Sequence, residues 1–146
     1  MPTRPSLDDV SAGTELPPLV TRPTKISNFL YGVALWAAHR IHYDKDWAVS
    51  EGYRDTLIIG GLTRAYVIRM LVDWAGEPTA LRKIALTNRA PVFSEDTLTV
   101  QTIVRDKTTV DGHTTLEFDV YVENQEDVKV VVGSATLRLP ARSTDG

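Results

Sequence analysis

At 146 residues, 42% of them hydrophobic, the chain has the size of one domain with a sizeable core. A net charge of −3 with no Lys/Arg block argues against a nucleic-acid partner, and the lack of cysteine excludes disulfides, thiolate metal sites and cysteine nucleophiles. No apolar run approaches the ~18 residues of a membrane span, and Met1-Pro2-Thr3-Arg4-Pro5 lacks the apolar core of a signal peptide, so a soluble, cytoplasmic protein with no membrane partner is expected.

In chain order, residues 1–11 are polar and Pro-bearing, which predicts a flexible arm. Residues 13–23, with Pro17-Pro18 and Leu19-Val20, predict an extended edge segment, where proline is tolerated. Lys25 to Ala38 is predicted helical, with Ser27 or Asn28 as cap and Phe29, Leu30, Val33, Ala34 and Ala37 at helical spacing beside Trp36. The chain then leaves the helix through His39-Arg40-Ile41-His42-Tyr43-Asp44. Asp44 is expected to cap a short helix to Val49, closed by Gly52. Tyr53 to Ile59 is expected to be extended. Gly60-Gly61 opens a helix to about Ala75, with Gly76 as its stop. That helix is apolar nearly all round, with a narrow stripe of Arg64, Arg69 and Asp73, so it must be buried on most sides.

The second half predicts the cover. Strands are expected over 81–89, 97–105, 115–123 and 128–139, with a hairpin at Asp111-Gly112 and a turn at 124–127. Leu116, Phe118, Val120 and Val122 alternate with polar residues, the mark of a strand with one buried face. An antiparallel sheet that has to curl round a buried helix is the α+β hot-dog fold, here one domain over 1–146 with a tail at 141–146.

From Asp8 to Leu139 the chain resembles MaoC-like members of the hot-dog superfamily, typically (R)-specific 2-enoyl-CoA hydratases and 3-hydroxyacyl dehydratases. The resemblance rests on Val10-Ser11-Ala12-Gly13-Thr14-Glu15-Leu16-Pro17-Pro18, on the hexapeptide His39 to Asp44, and on Asp44-Lys45-Asp46-Trp47-Ala48-Val49, Gly52 and Val72-Asp73-Trp74-Ala75-Gly76. The hexapeptide is similar to that of the mesaconyl-C4-CoA hydratase branch. The other segments are similar to the small subunit of steroid side-chain enoyl-CoA hydratase.

The resemblance implies lyase chemistry on acyl thioesters. An aspartate and a histidine activate water, and a glycine N–H at the start of the central helix binds the thioester oxygen. His42 matches the histidine and Gly60 the oxyanion glycine, with Gly61 beside it. Ala37 stands where the aspartate is expected, and Ile59 where a histidine precedes the glycine. The resemblance also implies an acyl-CoA or acyl-carrier-protein thioester as substrate, no cofactor and no metal, and a homodimer or a heteromer with a second MaoC-like chain.

Enoyl hydration needs a group that moves a proton near neutrality, for which histidine is suited. It also needs donors where enolate charge develops, each worth about 3–4 kcal/mol, and a helix start supplies them. His42 is weighed against a hydrogen-bonded loop histidine, and the motif around it favours function. His39 and Tyr43 are expected to be structural supports. Asp44 is expected to be a helix cap, with a supplementary carboxylate role as the rival. Asp55 is expected in a turn, and Arg82, Lys83 and Arg89 on a solvated strand face rather than at CoA phosphates. The three tryptophans are assigned to core or interface, and His113 receives no role. Two other readings stay open: a non-catalytic or half-catalytic subunit, motivated by Ala37, and a hot-dog thioesterase, disfavoured because Leu62 to Val72 carries no carboxylate.

Overall fold

The computed structural model describes residues 6–141. Its order is β1 (Leu19–Thr21), α1 (Lys25–Ala34), α2 (Lys45–Ser50), α3 (Gly60–Ala75), β2 (Leu81–Asn88), β3 (Leu98–Val110), β4 (His113–Glu123) and β5 (Lys129–Pro140). The five strands form one antiparallel sheet, β1-β3-β4-β5-β2, with β1 and β2 at the edges. The sheet wraps α3, as the hot-dog expectation requires.

Alternation places the core. Leu116, Phe118, Val120 and Val122 of β4 are buried, as are Leu98, Val100 and Val104 of β3. These face Leu62, Val67, Met70, Leu71 and Ala75 of α3, and Trp74 meets Phe118 edge to face at 6.3 Å. The open stripe of α3 holds Arg64, Ile68, Arg69 and Asp73, so one apolar residue, Ile68, joins the three charges on the exposed side. Arg69 pairs with Asp73 one turn on.

Three bulges bend the sheet. Arg82, Arg105 and Val130 are the extra residues where β2/β5, β3/β4 and β4/β5 shift register. The last explains why neighbours Val130 and Val131 are both buried, against simple alternation. The hairpin at Asp111-Gly112 has positive φ at both central residues, 50° and 71°, the pairing that matches strand twist.

Several boundaries differ from expectation. The predicted arm is loose at neither Leu7 nor Val10. Both are buried, and Lys107 Nζ donates to their carbonyls, at 2.5 Å and 2.9 Å, from beneath. The arm's first five residues and the tail beyond Ala141 lie outside the described residues. The cap of α1 is Thr24, reciprocated by Ser27, rather than Ser27 or Asn28. Helix α1 ends at Ala34, not Ala38. Tyr53 to Ile59 makes only one bridge, Leu57 with Phe93.

Phe118 fills the space between α3 and the sheet with none of its surface exposed. Phe118→Ala is expected to destabilise the fold by about 3–5 kcal/mol, read as a lower denaturation midpoint in urea. A loss below 1 kcal/mol would contradict the packing of sheet on helix.

Candidate active site

Helix α1 positions everything that follows. Asn28 sits on its inner face, 3% exposed. Its Oδ1 accepts from Ile59 N–H at 2.8 Å, and its Nδ2 donates to Leu57 O at 3.0 Å and His42 O at 3.2 Å. One amide thus joins α1, the histidine loop and the approach to α3.

The end of α1 is a Schellman motif. Trp36 N–H bonds Val33 O and Ala37 N–H bonds Gly32 O. Trp36 itself occupies the left-handed position, φ 56°, where glycine is usual, and its ring is 89% exposed. This local strain turns the chain sharply and leaves Ala37 beside the histidine loop rather than on a fourth turn of helix.

The loop that follows is held by its own polar groups. His39 caps a single 3-10 turn, its Nδ1 accepting from Ile41 N–H at 3.3 Å. Tyr43 donates its hydroxyl to Ala38 O. His39 and Tyr43 thus do supporting work. Asp44 caps α2, accepting from Trp47 N–H at 3.1 Å, and its other oxygen takes Arg40 Nε at 3.0 Å and the terminal guanidinium nitrogen at 2.6 Å. The Trp47 N–H first, then Arg40, hold the Asp44 carboxyl below its usual range. Asp44 borders none of the clefts that His42 lines. Asp55 is likewise held down, chiefly by Thr56 N–H and then by Lys25. It stands in a turn.

His42 is half-buried, and its Nδ1 lies 2.9 Å from Leu57 O. A carbonyl only accepts, so Nδ1 carries the proton, and in the neutral ring Nε2 keeps the lone pair. The same Leu57 leads into α3, whose cap, Ile59, has no side-chain bond. Ile58 N–H is taken by Val92 O and Ile59 N–H by Asn28, but Gly60 N–H and Gly61 N–H have no partner among the described residues. Those unpaired amides at a 16-residue helix start form a positive site. A Cβ on Gly60 would overlap the Asn88 side chain, and one on Gly61 would meet the Tyr31 hydroxyl at 2.7 Å. Gly60 thus packs on Asn88 and Gly61 on Tyr31 of α1.

Three clefts meet at His42, one of them bordered by Lys25, Leu30, Lys45 and Thr56; the other two take in Gly60 and Ala37. Of those two, the first, of ≈ 330 Å³, is bordered by His42, Gly60, Thr63, Asn88 and Arg89, with Val130 and Val131 as floor. The second, of ≈ 240 Å³, is apolar and bordered by Phe29, Val33, Trp36, Ala37, Tyr43 and Ile59. Ala37 and Ile59 thus stand where polar family residues are expected and make an apolar wall. No Asp or Glu borders either cleft among the described residues. Of the three cations weighed above, Arg89 alone borders the first cleft, and no ion pair engages it among the described residues. No group of His, Asp or Glu among them could hold a metal ion. The sequence reasoning missed two residues, Asn28 as the bracket and Thr63 as a cleft residue. A lone Asn or Thr on an apolar helix face was the only signal of either.

The model of the hydroxyacyl-thioester dehydratase type 2 family matches residues 10–94. The beta subunit of 3-oxo-4,17-pregnadiene-20-carboxyl-CoA hydratase from Mycobacterium tuberculosis is 32% identical over 59 residues, 40% of this chain and 46% of that protein. The match thus spans under half of that relative's length. A chain of the ChsH1-ChsH2 complex from the same organism superposes with a TM-score of 0.75 at 24% identity, covering 90% of this chain and 98% of the other. The R-hydratase PhaJ1 from Pseudomonas aeruginosa superposes with a TM-score of 0.82 at 18% identity, covering 94% and 86%. These two structures share the hot-dog fold with this chain.

Asn28→Ala would strand the buried Ile59 N–H, free His42 O and leave Leu57 O with His42 Nδ1 alone. A loss of about 2–4 kcal/mol is expected by chemical denaturation. A loss under 1 kcal/mol would show that the bracket does not hold the site.

Proposed function

We propose that the chain, which belongs to the hydroxyacyl-thioester dehydratase type 2 family, interconverts 2-enoyl and 3-hydroxyacyl thioesters by adding or removing water. The observation that carries this reading is the meeting of His42, with Nδ1 held by Leu57 O, and the unpaired Gly60 N–H in one cleft. Its relative's name, a CoA hydratase subunit, supports the same chemistry.

In the hydration direction, water adds its oxygen to C3 of the enoyl thioester and gives a proton to His42 Nε2. The π electrons move to the thioester oxygen, and the enolate so formed is held by Gly60 N–H at the positive end of α3. The imidazolium returns the proton to C2. One base serves for both transfers, so the absence of a carboxylate at Ala37 does not break the proton balance. The acyl group lies in the apolar cleft of Phe29, Val33, Trp36 and Ala37, and Arg89 at the mouth of the other cleft suits the phosphates of CoA or of a carrier-protein arm.

The protein is expected to remove the enoyl absorbance of crotonyl-CoA or longer enoyl-CoAs. His42→Ala is expected to cut turnover by about 100-fold or more, whereas Asp44→Asn, which preserves a capping oxygen, should stay within about twofold of the wild type. Unchanged turnover in His42→Ala would sink the assignment.

A second reading is favoured by one observation, the lack of any carboxylate on the His42 clefts. Here a second hot-dog chain supplies the acid and covers the exposed apolar side chains of α1, Ile26, Phe29, Leu30, Val33 and Trp36. The similarity to a chain of the ChsH1-ChsH2 complex supports a heteromer of this kind. Co-purification from the native host decides: a MaoC-like partner that raises turnover at least about tenfold is expected on this reading. Homomers with full turnover would exclude it.

A further inference from the structure

Among the described residues, three buried side-chain polar atoms have no hydrogen-bond partner: Thr63 Oγ1, Thr102 Oγ1 and Trp74 Nε1. A buried polar atom without a partner is costly relative to a paired one, so each calls for an explanation. Thr102 lies on β3, and Trp74 is packed on Phe118. Neither borders a cleft that His42 lines. Thr63 does.

Thr63 lies one helical turn after Gly60, so the two residues share a face of α3. Its side chain is 1% exposed and borders the cleft that also takes in His42, Gly60 and Asn88. A hydroxyl both donates and accepts. Valine has nearly the same shape and would fill this position without leaving an orphan polar atom. An oxygen brought into the cleft, from water or from a ligand, is what can pair this hydroxyl.

We propose that Thr63 contacts the substrate, its hydroxyl holding the oxygen that is added to, or lost from, C3 of the thioester. This rests on the hydratase reading above and assigns a second anchor for that oxygen beside His42. During hydration, the attacking water donates one proton to His42 Nε2 and its other O–H to Thr63 Oγ1, which aims an oxygen lone pair at C3. In the product, the C3 hydroxyl keeps the contact with Thr63. No proton is transferred to or from threonine, so the balance of the reaction is unchanged. The orienting role elsewhere given to a carboxylate falls here to a neutral hydroxyl on α3, on the opposite side of His42 from the apolar wall at Ala37.

The test compares ligands that differ only in that oxygen. In a His42→Gln background, which prevents conversion, 3-hydroxybutyryl-CoA and butyryl-CoA are titrated calorimetrically with Thr63, Thr63→Val and Thr63→Ser. Thr63→Val is expected to weaken 3-hydroxybutyryl-CoA about tenfold and leave butyryl-CoA unchanged, with Thr63→Ser restoring the difference. With His42 present, Thr63→Val should lower kcat about tenfold for crotonyl-CoA with KM within about twofold. Equal weakening of both ligands, or of neither, overturns the inference. If the wild type hydrates crotonyl-CoA and Thr63→Val matches it, this inference falls while the hydratase reading stands. If the wild type neither binds nor turns over these thioesters, both fall.

Discussion

The arrangement of the site depends on the three hydrogen bonds of the Asn28 amide. A primary amide is the one side chain that offers a planar acceptor and two donors from a single short stem. Here the acceptor takes the last N–H before α3, and the donor nitrogen holds the carbonyls of Leu57 and His42. Leu57 O is shared, since it also accepts from His42 Nδ1. The tautomer of the imidazole, its distance from α3 and the angle at which the chain enters α3 therefore follow from one buried residue. Aspartate has the same outline but would bring negative charge against two carbonyls. Leucine would leave Ile59 N–H and His42 O unpaired and Leu57 O with His42 Nδ1 alone. The capping box of Thr24 and Ser27 starts α1 one turn earlier and so fixes where Asn28 stands.

Most of the fold was legible because its signals are periodic. The span of α3, its glycine stop, the alternation of β4 and the Asp111-Gly112 turn each follow from local chemistry that tertiary context did not override. The departures have a common cause, in that each depends on a contact distant in sequence. Asn28 was taken for a cap because Asn favours caps, and nothing nearby in sequence reveals that Leu57 and Ile59 return to it. The end of α1 was placed late because Ala37 and Ala38 are good helix formers, while Trp36 in a left-handed conformation carries no glycine to announce it. Val130 joins the core only because a bulge lets it. Lys107 reaches Leu7 O across 100 residues.

The site divides in the same way. His42 and Gly60 were readable as a pair because a family motif and a helix start both mark them, and the model places them on one cleft. Asp44 carried two readings, and its oxygens are spent on Trp47 N–H and Arg40. A carboxylate whose lone pairs are engaged, and whose ionised form is favoured by those partners, is well made as a cap and poorly made as a proton carrier. Gly61 looked equivalent to Gly60 in sequence, but the Tyr31 hydroxyl occupies the space before it. Of the pair, Gly60 borders the cleft of His42 and Gly61 does not.

Ala37 and Ile59 then acquire a positive meaning. Each stands where the family resemblance leads to a polar residue, and each borders the apolar cleft beside His42. With alanine at position 37, His42 stands between an apolar chamber and a more polar one. Under the proposed function, a thioester spanning that boundary would set its acyl group in the first and its carbonyl at α3 in the second. The polar demands of water addition then fall on the groups the second chamber contains: one imidazole of defined tautomer, one unpaired helix amide and one buried hydroxyl without a partner.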